Sequence, residues 1–78
     1  MAVGTFSYQN ASGYPGEIEN PDEYRTYNID IGKGSVDNRT NATVRLYTRR
    51  DGQGDSDYLN PNSSTYTDKS YQSCVFTT

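Results

Sequence analysis

The chain has no histidine, no tryptophan and one cysteine, Cys74. Those absences exclude His/Cys metal clusters, Ser-His-Asp and Cys-His catalytic arrangements, and any disulfide within the chain. Bulky apolar residues are scarce as well: valine, isoleucine, leucine and phenylalanine together number eleven of 78, below the roughly 20% at which a composition begins to read as disordered. The other half of that signature is missing, because a formal net charge of −3 produces little self-repulsion. No apolar run approaches the roughly 18 residues of a membrane-spanning helix. The mild negative charge also argues against nucleic acid as a partner, since phosphate binding depends on clustered cations. Met1 to Phe6 shows no basic segment leading into an apolar stretch, so it is not expected to be a secretory leader.

What is present is tyrosine, eight of them, together with β-branched residues in short alternating runs. Tyr27-Asn28-Ile29-Asp30-Ile31 alternates strictly, which predicts a strand with Tyr27, Ile29 and Ile31 on one face. Val44-Arg45-Leu46-Tyr47 predicts another with Val44 and Leu46 inward, Cys74-Val75-Phe76 a closing strand, and Phe6 and Tyr8 share a face near the start. Turn chemistry separates them at Gly13-Tyr14-Pro15-Gly16, Gly32-Lys33-Gly34, Asp51-Gly52-Gln53-Gly54 and Asn60-Pro61-Asn62-Ser63. No segment carries a helical apolar stripe. Phe6-x-Tyr8, two glycines and Asn20-Pro21 are echoed by Val44-x-Leu46-Tyr47, two glycines and Asn60-Pro61, which predicts two four-strand repeats, about 4–38 and 42–77, in one domain spanning 1–78. Neither repeat can bury its apolar face alone, so the two must pack together. The expected fold is all-β, a small double Greek-key sandwich of about eight short strands. Its expected core is Phe6, Tyr8, Ile18, Ile29, Ile31, Val36, Val44, Leu46, Leu59, Cys74 and Phe76.

Few residues suggest chemistry. Asp51, Asp55 and Asp57 lie at spacings that resemble a calcium loop, but the closing bidentate glutamate is missing and a solvated turn is the plainer reading. Glu17/Glu19 and Asp55/Asp57 each fall on one side of a strand, as surface acidic pairs commonly do, and no catalytic residue is assigned. Arg45, Arg49 and Arg50 form a small basic spot beside Tyr47, expected to pair with the acidic turn. Four Asn-x-Ser/Thr triplets, at Asn10, Asn38, Asn41 and Asn62, are expected by chance in a chain so rich in these residues. Tyrosine gives large contact area at low entropy cost with a polar tip, so Tyr14, Tyr24, Tyr47, Tyr58, Tyr66 and Tyr71, with Arg49 and Arg50, are the candidate interface residues.

The stretch from Asn38-Arg39-Thr40 through Val44-Arg45-Leu46-Tyr47, Asp51-x-x-Gly54, Leu59-x-Pro61 and Ser73-Cys74-Val75-Phe76 resembles the small secreted βγ-crystallin-like proteins of actinomycetes. Gly4 to Tyr8 and Asn20-Pro21 resemble their opening strand and first corner. The resemblance covers roughly residues 4 to 77. It implies a disulfide between the segment after the first Asn-Pro and the later Asp-x-x-Gly corner, yet Tyr24 to Tyr27 and Asp51-Gly52 stand there. Cys74 occupies a place where relatives have valine, and is expected to be a buried core thiol. The resemblance also implies calcium, through a stretch that aligns with Asp68-Lys69-Ser70-Tyr71-Gln72-Ser73. Lys69 puts an ammonium where an oxygen ligand should point, so no cofactor is expected, with Asp51, Asp55, Asp57 and Asp68 the carboxylates a calcium ion would use.

These readings lead to a non-enzymatic structural or interaction module, with a protein partner or a second copy of itself, such as an accessory subunit on a virion surface. The alternatives are a secreted peptidase inhibitor presenting Asp51 to Asp57 or Asn60 to Thr65, which the resemblance implies through an inhibitor family of the same fold, and a calcium-binding crystallin-like protein. The expected location is extracellular, as a mature secreted form, or on a virion, rather than plainly cytoplasmic.

Overall fold

Period-2 geometry places every second side chain of a strand on the same face. In the computed structural model, which describes residues 1–78, Val44 and Leu46 are buried and Arg45 between them is exposed. Burial alternates in the same way along β4. The eight strands in chain order are β1 Gly4–Gln9, β2 Pro15–Glu19, β3 Thr26–Tyr27, β4 Gly34–Thr40, β5 Thr43–Tyr47, β6 Ser56–Leu59, β7 Ser63–Thr67 and β8 Ser73–Thr77. A single 3-10 turn at Arg50–Gly52 is the helical element.

The strands form two four-stranded antiparallel sheets, ordered β2-β1-β4-β7 and β3-β8-β5-β6. Shifting each strand of the first sheet by four places along the chain gives the second sheet read from its other end. Each half therefore keeps three strands and contributes its third, β3 or β7, to the opposite sheet, giving a double Greek-key sandwich. That exchange explains how so few aliphatic residues suffice: both sheets are built from both halves, so one shared core serves them. Equivalent pairs line it, Phe6 facing Ile18 and Asn38 in the first sheet, Val44 facing Leu59 and Phe76 in the second. Phe6 and Phe76 meet edge to face at 5.4 Å, and Tyr27 meets Phe76 at 5.9 Å.

The buried apolar cluster is Ala2, Phe6, Ile31, Val36, Ala42, Val44, Leu46, Leu59, Tyr71, Cys74 and Phe76, with Tyr8, Ile18, Tyr27 and Ile29 packed half-buried against it. Three expected members, Tyr8, Ile18 and Ile29, thus sit at its margin. Tyr71 belongs inside because Ile31 and Tyr71 exchange backbone hydrogen bonds of 2.8 Å in each direction, a bridge that stitches the two halves at the seam.

The run from Tyr27 to Ile31 does not continue as one strand. The ladder with β8 ends at Tyr27 opposite Cys74; Ile29 still donates to Gln72 O at 3.1 Å in that register, and Ile31 then pairs with Tyr71, one residue out of it. Asn28, between Tyr27 and Ile29, is exposed and turns its side chain to Asp51. Corners are made by asparagine: Asn20, at φ 46°, donates its N–H to Gly4 O at 2.8 Å and accepts from Gly4 N–H at 3.0 Å through its side chain. Gly4 itself is at φ 121°, and a Cβ there would run into the carbonyl oxygen of Arg39 on β4.

Candidate interaction surface

β6 and β7 are the edge strands of opposite sheets on one side of the sandwich. Asp57 on β6 lies opposite Leu46, on the inward side of its strand, but at the open edge of the sheet it stays exposed. The Tyr71 hydroxyl donates to Asp57 Oδ2 at 2.5 Å, and Lys69 Nζ lies 3.5 Å from the same oxygen. The Tyr71 hydroxyl, with help from the Lys69 charge, holds the Asp57 carboxyl below the usual carboxylate range. Burial, then the acceptor Asp57, pushes Tyr71 above the usual phenol range. At neutral pH the pair is therefore carboxylate and neutral phenol, a fixed polar contact with no proton to exchange.

This pair lines an open cleft of about 300 Å³ together with buried Leu46 and Leu59 and exposed Tyr58, Thr65, Tyr66, Asp68 and Lys69. Its volume lies at the lower limit of about 300–1,000 Å³ for small-molecule sites. Tyr58 and Tyr66, one from each edge strand, both line the cleft and are exposed, 66% and 76% respectively.

The candidate interface residues divide into groups. Tyr58 and Tyr66 stand at the cleft. Tyr71, also an interface candidate, is only 4% exposed, because its backbone bridge to Ile31 draws the ring into the seam; its hydroxyl is its contribution. Tyr47, half-buried at the end of β5, adjoins exposed Arg49 and Arg50. Tyr14 and Tyr24 are exposed on separate loops, and Tyr24 is tethered by its hydroxyl donating to Thr78 O at 2.9 Å.

The expected pairing of Arg45, Arg49 and Arg50 with the acidic turn does not form. The four ion pairs are the Met1 ammonium with Glu23, Arg25 with Asp22, Arg39 with Asp37, and Lys69 with Asp57. The turn is held by other means: Thr48 N–H donates to Asp55 O at 2.9 Å, and Asp55 N–H to Thr48 Oγ1 at 3.1 Å. Nor does the structure gather Asp51, Asp55, Asp57 and Asp68 into a group of three or more ligating carboxylates. Asp51 faces Asn28 and Asp57 faces Tyr71 and Lys69. In the stretch Asp68 to Ser73, the Ser73 hydroxyl is taken up by donating to Arg49 O at 2.6 Å and accepting from Gly52 N–H at 3.0 Å. The thiol of Cys74 is fully buried, and burial pushes its pKa up to about 12, so it is no nucleophile at neutral pH.

One polar group was not singled out by the sequence. Asn38, fully buried on β4, donates its amide hydrogens to Ala42 O at 2.8 Å, Asn60 O at 3.1 Å and Leu59 O at 3.2 Å. Its Oδ1 accepts from the Thr40 hydroxyl at 2.6 Å and from Thr40 N–H at 3.2 Å. This one side chain ties the junction between the two repeats to the Asn60-Pro61-Asn62 corner. In the sequence Asn38-Arg39-Thr40 stood out only as a glycosylation-type triplet and as the start of the stretch that carries the resemblance; the fold buries both polar residues, Asn38 and Thr40.

No family model, curated protein or solved structure matches the chain.

Proposed function

We propose that the chain is a non-enzymatic interaction module, a small structural or accessory subunit that docks through the open β6–β7 side of its sandwich. The observation that carries this reading is that two exposed tyrosines, Tyr58 and Tyr66, line a cleft that also holds the fixed Asp57–Tyr71 hydrogen bond. Rigid aromatic rings beside preorganised polar groups are the anchors a protein partner uses at low entropy cost. Membership of the crystallin-like family is part of the proposal. It draws support from the exchanged third strands and from Asn28 and Asp51, which link by hydrogen bonds the two neighbourhoods where the resemblance implies a disulfide.

The test is capture of a stoichiometric partner from the cells or particles that carry the protein, comparing the native chain with Tyr58→Ala. The proposal expects recovery with the native chain and a loss of at least about tenfold with the variant, which removes one aromatic anchor. Equal recovery by both, or a partnerless chain in every fraction, would count against it.

A second reading, peptidase inhibition, gains support at one place. An inhibitory loop must be rigid, and Asn38 braces the Asn60–Asn62 corner from beneath without a disulfide. The remainder of the expected Asn60 to Thr65 loop is strand β7, so inhibition would use the corner alone. Micromolar protein that slows no serine or metallopeptidase would remove this reading.

A further inference from the structure

Every open sheet must deal with its edges, because an unpaired row of backbone N–H and C=O groups is a template for another strand. This sandwich has four edges, and three carry a recognised block. β2 holds Pro15 and the charged Glu17 and Glu19. β3 is two residues long. β6 turns a carboxylate, Asp57, toward the inward row. The fourth, β7, reads Ser63-Ser64-Thr65-Tyr66-Thr67, with no charge and no proline, and its Thr65-Tyr66-Thr67 run favours strand conformation. It pairs with β4 on one side, and no other backbone or side-chain group bonds to its main chain. Ser64, Thr65 and Tyr66 are exposed.

We infer that β7 is a docking edge for the β7 strand of a second copy of this chain, paired antiparallel about Thr65. This inference rests on the interaction-module reading and names its partner. In that register Thr65 faces its own equivalent, Ser64 faces Tyr66 and Ser63 faces Thr67, so no charge meets a like charge. The resulting eight-stranded sheet runs β2-β1-β4-β7 and then the same strands in reverse. Both of its new ends are β2, the edge blocked by Pro15, Glu17 and Glu19, so the association closes at two copies instead of growing. A different edge of the same chain is a poorer occupant, since each of the other three carries its block. Pro61 before the strand and Asp68 after it limit the contact to these five residues. Such a contact falls short of the about 1,200–2,000 Å² of a stable interface, so the dimer is weak, half-formed near roughly 0.1–1 mM.

Sedimentation velocity from about 10 µM to about 1 mM should show monomer passing to dimer, with Thr65→Lys and Ser64→Lys each at least about tenfold weaker, the effect of placing a charge on the pairing edge. Unchanged circular dichroism of the dilute variants establishes that they remain folded. Register is read by cysteine: in a Cys74→Val background, Thr65→Cys should oxidise to a covalent dimer several times faster than Ser64→Cys, whose opposite residue is Tyr66. Monomer at every concentration, or equal cross-linking by the two cysteines, overturns the self-pairing. The Tyr58→Ala capture experiment stands apart from it, because Tyr58 is not on β7; partner loss there with no dimer here would sink this inference and leave the module reading intact.

Discussion

Asn28 and Asp51, 23 residues apart in sequence, exchange two hydrogen bonds: Asn28 Nδ2 donates to Asp51 Oδ1 at 2.9 Å, and Asp51 N–H donates to Asn28 Oδ1 at 2.8 Å. The pair joins the exit of β3 to the Arg50–Gly52 turn, and so one repeat to the other. Asp51 is held at φ 59°, a left-handed conformation that aspartate tolerates better than most residues. Asn28→Ala should destabilise the protein by about 1–2 kcal/mol, the net worth of a hydrogen-bonded pair of which one partner is charged. A double-mutant cycle with Asp51→Ala, measured by urea unfolding, should return a coupling energy of about 0.5–2 kcal/mol. Simple additivity would mean that the reciprocal bonds contribute nothing.

Asn38 should be the least replaceable polar residue in the chain. Asn38→Leu keeps the volume but removes the side-chain donor to the carbonyls of Leu59 and Asn60 and leaves Ala42 O with the Thr40 hydroxyl alone, at about 1–3 kcal/mol per unsatisfied group. Total stability of a domain this small is only a few kcal/mol, so the variant is expected to be unfolded or molten at 25 °C. One-dimensional proton NMR with dispersed methyl signals equal to those of the native chain would contradict the structural role assigned to it.

Cys74 gives the protein a defined alkaline limit. The folded-state pKa is raised above the usual thiol value, so the stabilisation is complete below the unfolded pKa of about 9 and is lost as pH rises toward about 12. The loss approaches about 1.4 kcal/mol per pH unit while the unfolded chain alone is ionised. Cys74→Val, the residue found at the equivalent Val36 of the first repeat, should flatten that part of the stability curve between pH 9 and 11. An unchanged alkaline slope would show that the thiol takes no part.

Asp57 sets the opposite limit. Its folded pKa is depressed, so its contribution is present above the unfolded pKa and fades as pH falls through the folded value. Asp57 is partly exposed, which keeps the effect small. Asp57→Asn should reduce the loss of melting temperature on acidification and shift the Tyr71 phenol titration to lower pH by removing the acceptor charge. A Tyr71 titration identical in both proteins would rule out the hydrogen bond between them.

Strand positions and the apolar lining were legible in the sequence because both follow local rules. Val44 and Leu46, Phe6, Val36, Cys74 and Phe76 are buried wherever short alternation put them on one face, and Asn-Pro and glycine marked the corners. Tyr71 and Asn38 were legible only in part. A tyrosine can end in a core or on a surface with equal local propensity, and whether Asn38 faces water or three carbonyls depends on chain that lies 21 and 22 residues away.

Composition excluded a disulfide within the chain, His/Cys metal clusters and Ser-His-Asp chemistry, since absent side chains cannot be supplied by folding, and alternation with turn residues pointed to a small all-β sandwich. Tertiary structure alone decided that the third strand of each repeat crosses to the other sheet, that Asp57 is paired while Arg45, Arg49 and Arg50 are free of ion pairs, and that β7 is the unblocked edge. Each of those depends on which distant segments meet, and long-range pairing is set by how two half-cores are best covered together, a condition that no local window of sequence contains.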